Sequence, residues 1–167
     1  ITSLALKHRI PCTGFLFKEV LGPRRLRPDR VESIPIRERV AVKNGADVTL
    51  SDGTKIPNVE LTFDPHPVRS YAYCSDTAYE PALIPFLLGV DLLYHEATYL
   101  KDLEQRAEAR YHSTAEQAAT IAKLANAKKL LIGHFSSKYE TLTGFLEEAK
   151  EVFENTEIAR EGVCFKI

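Results

Sequence analysis

The sequence predicts an α/β fold, with helices layered on a sheet. Three observations carry that reading. From Arg69 onward, apolar runs of strand length alternate with segments of helical pattern. The opening residues, Thr2 to Lys18, alternate apolar and polar side chains as paired strands do. Composition is that of an ordinary globular chain, 44% apolar and 27% charged over 167 residues, enough for one packed core.

Taken in order, Leu4 and Leu6 mark a first strand and Gly14-Phe15-Leu16-Phe17 a second, joined by a bend from His8 to Thr13. Residues 21–43 differ in character. Arg24, Arg25, Arg27, Arg30, Arg37, Arg39 and Lys43 stand against Asp29, Glu32 and Glu38, while Pro23, Pro28 and Pro35 break any long helix. This reads as an extended arm or an insertion with local positive charge. Val48-Thr49-Leu50 and Thr54-Lys55-Ile56 flank Ser51-Asp52-Gly53 as a hairpin. Ser70 to Cys74 is a strand ending at Ser75-Asp76-Thr77, and Ala82 to Leu88 is a short helix stopped by Gly89. Asp91 to Tyr94 is a buried strand ending at His95-Glu96, followed by a mostly helical stretch from Tyr99 to Arg110. Ser113 and Glu116 have the spacing of a capping box opening a helix through Ala118, Ile121, Ala122 and Ala125. Leu130 to Gly133 is a third buried strand ending at His134. A helix from about Leu142 to Phe153 precedes short strands at Ile158 and from Val163 to Ile167.

Charge and cysteine content narrow the class. Lys and Arg number 22 against 23 Asp and Glu, which excludes a uniformly basic nucleic-acid coat but not a local basic patch. No apolar run reaches the roughly 18 residues a membrane span needs. Cys12, Cys74 and Cys164 fit reduced, unreactive thiols of a soluble cytoplasmic protein better than a disulfide framework. The chain has no methionine and opens on Ile1 inside an alternating stretch, which reads as a piece of a longer protein.

Chemistry-bearing residues cluster where strands stop: His8, Asp76, His95-Glu96 and His134, with His112 just ahead of a helix. Strand ends are where α/β folds assemble sites, and imidazoles with carboxylates are the donors zinc takes at catalytic centres. With no Cys-x-x-Cys pair, a structural thiolate zinc is not expected. Each residue also has a plainer reading. Asp76 can cap the helix that follows, Glu96 and His112 can form a structural hydrogen bond, and His95 can simply pack. The arginine run can be a solvated face.

Ser75-Asp76-Thr77, His95-Glu96-Ala97-Thr98, His112-Ser113-Thr114 and His134-Phe135-Ser136-Ser137-Lys138-Tyr139, in that order, resemble ribonuclease Z. That family comprises the tRNA 3′-processing endonucleases of the metallo-β-lactamase superfamily. The resemblance extends to the opening His8…Gly14-Phe15 pattern and the Val48 to Gly53 hairpin. It implies half of a four-layer αββα sandwich using zinc, two ions in each complete subunit. His8 would bind one ion, His134 the other, and Asp76 would bridge them. Glu96 and His112 would stand beside the scissile bond, His112 holding a proton for the departing ribose oxygen. Precursor tRNA would be cut to leave a 3′-hydroxyl on the tRNA and a 5′-phosphate on the trailer. Arg24, Arg25, Arg27 and Arg30 would lie on a flexible tRNA-gripping arm at residues 21–43. Ser136, Ser137 and Lys138 would meet the acceptor end, and the complete protein would be a homodimer.

Three departures stand out. The family's His-x-His-x-Asp-His motif is absent from the chain, so the resemblance is to the C-terminal half, expected to be inactive alone. Lys138 replaces an arginine common at that place, keeping the charge but not the bidentate fork. The arm looks short and lacks Gly-Pro richness. Two other readings compete: a metallo-β-lactamase-fold phosphodiesterase or esterase for small substrates, and a non-catalytic RNA-binding module.

Overall fold

The structure, a computed structural model, describes residues 1–167. It divides into two compact units, Ile1–Glu19 with Arg69–Ile167, and Val20–Val68. In the first, β1 (Thr2–Leu6) and β2 (Cys12–Lys18) form the expected antiparallel hairpin, with Leu4 opposite Gly14. Gly14 is required there, since a Cβ would lie 2.6 Å from the Tyr73 carbonyl oxygen of the neighbouring strand.

The second unit contains the basic segment, and the expectation of an extended arm is corrected. Its elements are β3 (Arg25–Leu26), α1 (Arg39–Lys43), β4 (Val48–Thr49), β5 (Lys55–Ile56), α2 (Asn58–Leu61) and β6 (Thr62–Phe63). β3 pairs with β6, and β4 with β5 as the expected hairpin. Ile34, Val42, Val48 and Leu61 make a small core of the unit's own. Buried Asn58 ties it together, donating from Nδ2 to the carbonyls of Val42 and Ala46 at 2.7 and 2.8 Å. The segment folds because its apolar partners lie beyond it in sequence, on Val48 and Leu61.

Returning to the first unit, β7 (Ser70–Cys74), α3 (Ile84–Leu87), β8 (Leu92–Glu96), α4 (Glu104–Ala109), α5 (Ala115–Leu124), β9 (Leu130–Gly133), α6 (Thr143–Val152) and β10 (Thr156–Ile158) follow in turn. The sheet order is β1-β2-β7-β8-β9-β10, antiparallel up to β7 and parallel from β7 to β10. The strand expected from Val163 to Ile167 is irregular chain instead.

Strand side chains alternate between faces. One face carries Leu4, Leu6, Ala72, Leu93 and Ile132 into a core with Ile121 of α5 and Phe145 of α6. Small residues on α5 (Ala118, Ala119, Ala122) let that helix lie close to the sheet. The other face bears an aromatic row. Phe15 pairs with Tyr73 and Tyr73 with Tyr94, while Phe17 pairs with Tyr71. The Tyr73 and Tyr94 rings stack at 4.8 Å, yet Phe15, Phe17 and Tyr73 remain 41%, 39% and 36% exposed. No helix is long and apolar enough to cross a membrane.

Candidate metal centre

Three parallel strands end side by side, so the residues that follow them converge. Asp76 comes after β7, Glu96 closes β8, His134 follows β9, and His112 sits in the turn before α5. Donor atoms of these four residues all lie within 4.8 Å of one another.

Glu96 lies beneath the group, fully buried. Its Oε1 accepts from the Thr77 backbone N–H at 2.8 Å and from His112 Nδ1 at 2.7 Å. Its Oε2 accepts from the Thr98 hydroxyl at 2.6 Å and from the backbone N–H groups of Ser113 and Thr98 at 3.1 and 3.2 Å. Burial pushes the Glu96 pKa up, but the hydrogen bonds from His112, Thr98 and Ser113 prevail and hold it below the usual carboxylate value. Five donors occupy its lone pairs. Glu96 is therefore an anchor for its neighbours rather than a metal ligand. The same contact raises the pKa of His112, chiefly through the Glu96 hydrogen bond and against the effect of burial.

Each of the three histidines engages Nδ1. His8 contacts the Tyr111 carbonyl at 2.9 Å, His112 contacts Glu96, and His134 contacts the Thr98 hydroxyl at 2.8 Å. A carbonyl and a carboxylate only accept, so His8 and His112 carry the proton on Nδ1 and leave Nε2 for another partner. The Tyr111 carbonyl is turned toward His8 by a left-handed backbone at Tyr111, φ 60°, and His134 is left-handed too, φ 62°. Non-glycine residues in this conformation concentrate at functional sites.

Asp76 completes the picture. Its Oδ1 is closed off from solvent and makes no hydrogen bond. His134 Nε2 stands 3.0 Å from it, off the line a hydrogen bond requires. An unpartnered carboxylate oxygen beside an imidazole nitrogen, with more imidazoles adjacent, is a donor set that suits a divalent transition metal. The residues fit such an ion.

Of the residues expected from sequence, Asp76, Glu96, His112 and His134 are thus brought together. His8 stands outside that group of four but next to it, its ring 5.2 Å from that of His112. Ser136, Ser137 and Lys138 lie in the loop after His134. There the Ser136 N–H donates to the Thr98 carbonyl, and the Lys138 ammonium sits 4.9 Å over the Tyr139 ring. The arginines belong to the second unit and are partly engaged within it. Arg24 pairs with Asp64 at 2.7 Å, Arg27 and Arg30 flank Asp29, and Arg25 and Arg27 lie over the Phe63 ring.

Sequence reasoning gave no site role to Thr77, Thr98 and Ser113, which supply four of the five donors to Glu96. Their signal is their place in the quoted motifs, one or two residues from the charged side chains. His95, the other half of the dipeptide, points into the core, fully buried, with Nδ1 2.7 Å from the Glu96 carbonyl.

No protein-family model matches the chain. Curated proteins do. Ribonuclease Z of Phocaeicola vulgatus is 48% identical over 169 residues, taking in all of this chain and 55% of that protein. Ribonuclease Z of Bacteroides thetaiotaomicron is 46% identical over 169 residues, all of this chain and 54% of its own length. That of Porphyromonas gingivalis is 47% identical over 163 residues, 96% of this chain and 54% of that one. The chain spans about half the length of the curated relatives it matches. Among solved structures, the metallo-β-lactamase fold protein YhfI from Bacillus subtilis superposes with a TM-score of 0.62 at 22% identity, over 97% of this chain and 47% of that one. The short form of human tRNase Z gives 0.53 at 21%, over 96% and 40%. The expected fold is the one found: a sheet and its helix layer make half of an αββα metallo-β-lactamase sandwich.

Proposed function

The chain is homologous to ribonuclease Z, matching its relatives along its whole length while spanning about half of theirs, and from that premise we propose that it forms the C-terminal half of a cytoplasmic, zinc-dependent endoribonuclease. The substrate is precursor tRNA, and the reaction removes the 3′ trailer, leaving a 3′-hydroxyl on the tRNA and a 5′-phosphate on the trailer. The complete protein acts as a homodimer. One observation carries the reading: the unpartnered Oδ1 of Asp76 facing His134 beside the locked Glu96–His112 pair.

Asp76 and His134 would hold zinc, with His8 presenting Nε2 from the adjacent turn. Bound zinc would supply charge for the phosphodiester as it becomes more negative and acidity for an attacking water. His112 keeps its proton toward neutral pH because Glu96 stabilises the imidazolium, so it can give that proton to the departing ribose oxygen. Glu96 holds the ring through Nδ1, which leaves Nε2–H as the transferable proton. Ser136, Ser137 and Lys138 follow His134 closely enough in sequence to meet the acceptor end. Arg24, Arg25, Arg27 and Arg30 offer phosphate contacts on the second unit, whose contribution should weaken with salt.

A chimera tests the proposal. This chain, grafted in place of the matching half of the Bacteroides thetaiotaomicron relative, should restore cleavage of a precursor tRNA. Asp76→Ala and His134→Ala in the same chimera should each lower turnover by roughly 10³-fold or more, since each removes a zinc donor. A soluble chimera that cleaves only small phosphodiesters, or one indifferent to both substitutions, would sink it.

A further inference from the structure

We propose that Thr98 is a positioning residue: its hydroxyl, anchored on Glu96, decides which nitrogen His134 turns toward Asp76. The argument is a count of protons. A threonine hydroxyl has one hydrogen to give and two lone pairs with which to accept. Around Thr98 Oγ1 stand Glu96 Oε2 at 2.6 Å, the His134 carbonyl oxygen at 3.0 Å and His134 Nδ1 at 2.8 Å. His112 Nδ1 lies farther off at 3.3 Å and already donates to Glu96 Oε1.

The carboxylate and the carbonyl only accept. Whichever of them takes the hydroxyl proton, none is left for His134 Nδ1, so that nitrogen must be the donor. The neutral His134 ring therefore carries its proton on Nδ1 and has Nε2 as a bare lone pair. That lone pair stands 3.0 Å from the unpartnered Oδ1 of Asp76. Two acceptors are thus held close together, an arrangement that a cation satisfies. Without the hydroxyl nothing accepts from Nδ1, and the opposite tautomer would be preferred, because a small rotation of the freed ring would bring a proton on Nε2 into line with Asp76 Oδ1. A metal would then have to displace it. Glu96 in this way fixes two imidazoles at once, His112 directly and His134 through one hydroxyl.

The inference rests on the metal-centre reading for its purpose, but its first test does not depend on it. A long-range ¹H–¹⁵N correlation spectrum of the metal-free chain at about pH 8, above the ordinary histidine pKa, reports which ring nitrogen is protonated. The expected result is His134 protonated on Nδ1 in the wild type and in Thr98→Ser, and shifted to Nε2 in Thr98→Val. Zn²⁺ titrated into the three chains should bind roughly 10- to 100-fold more weakly to Thr98→Val, with Thr98→Ser restoring the affinity. A wild-type His134 protonated on Nε2 overturns the proposal whatever the Val variant does. So does a folded Thr98→Val chain with unchanged tautomer and unchanged Zn²⁺ affinity. If the tautomers behave as stated and no chain binds Zn²⁺, the proposal about Thr98 stands, and the metal-centre reading is decided by the Asp76→Ala and His134→Ala chimeras.

Discussion

His95 and Glu96 are neighbours with opposite fates, and the difference is in what reaches each of them. Glu96 stays charged in full burial because five donors replace its water. His95 has one partner, the Glu96 carbonyl at Nδ1, and its Nε2 has none. Burial accordingly depresses the His95 pKa below the ordinary 6.5. A depressed histidine contributes nothing to pH dependence where both states are neutral, and costs stability where only the unfolded chain takes up the proton. As pH falls from about 7.5 to about 5.5, the unfolding free energy of the chain in urea titrations should therefore drop, by at most about 1.4 kcal/mol per pH unit for one proton. His95→Asn, which can still donate to the Glu96 carbonyl, should flatten that drop. His112 titrates in the opposite sense, since its pKa is raised, but it is present in both proteins and cancels in the comparison. An equally steep fall in His95→Asn would show that another group is responsible. The sequence made Asp76, Glu96 and His134 legible because each is a charged or imidazole residue where an apolar run ends, and His112 because it is an imidazole just ahead of a helix start. Thr98 was not legible. Its role exists only because the loop after β9 returns to it, and a hydroxyl carries no mark of its future neighbours.

Elements show the same division between what a local pattern dictates and what distant chain supplies. The capping box of α5 is a local pattern, yet two frames one residue apart satisfy it. The sequence suggested Ser113 with Glu116, whereas the helix uses Thr114 with Gln117. Tertiary contacts decide between them. Ser113 is drawn inward, its hydroxyl donating to the Thr77 carbonyl and its N–H to Glu96, and Glu116 pairs with Lys101 instead. Thr114 is then the residue free to cap. Thr114→Ala should cost about 1 kcal/mol in a urea unfolding experiment, while Glu116→Ala, losing an exposed ion pair, should cost no more than about 0.5 kcal/mol. Equal costs would mean the box has been assigned to the wrong frame. Residues 21–43 illustrate the other case. Their prolines and arginines do exclude a long helix, but Arg25–Leu26 finds its strand partner at Thr62–Phe63, which no reading confined to the segment could supply.

At the scale of the molecule, the six-stranded sheet is finished on one face and not on the other. Parallel strands such as β7 to β10 are ordinarily covered on both sides. Here α5 and α6 cover one, while Phe15, Phe17 and Tyr73 keep more than a third of their surface in contact with water. A row of aromatic rings this exposed is expected to associate with whatever apolar surface it meets. Combined with relatives about twice the length of this chain, it gives a prediction with two opposite signs. On its own, the chain should self-associate in sedimentation velocity as concentration rises, and Phe15→Lys with Tyr73→Ser should shift it toward monomer. In the chimera with the remaining half of a ribonuclease Z, the face becomes the middle of the sandwich. The same two substitutions should there destabilise the fold by several kcal/mol, on the scale of about 3–5 kcal/mol for truncating one buried aromatic. Only a face that is exposed in one context and buried in the other produces that reversal. A chain that stays monomeric at every concentration, or substitutions with the same sign in both settings, would mean that the aromatic row is an ordinary solvated surface.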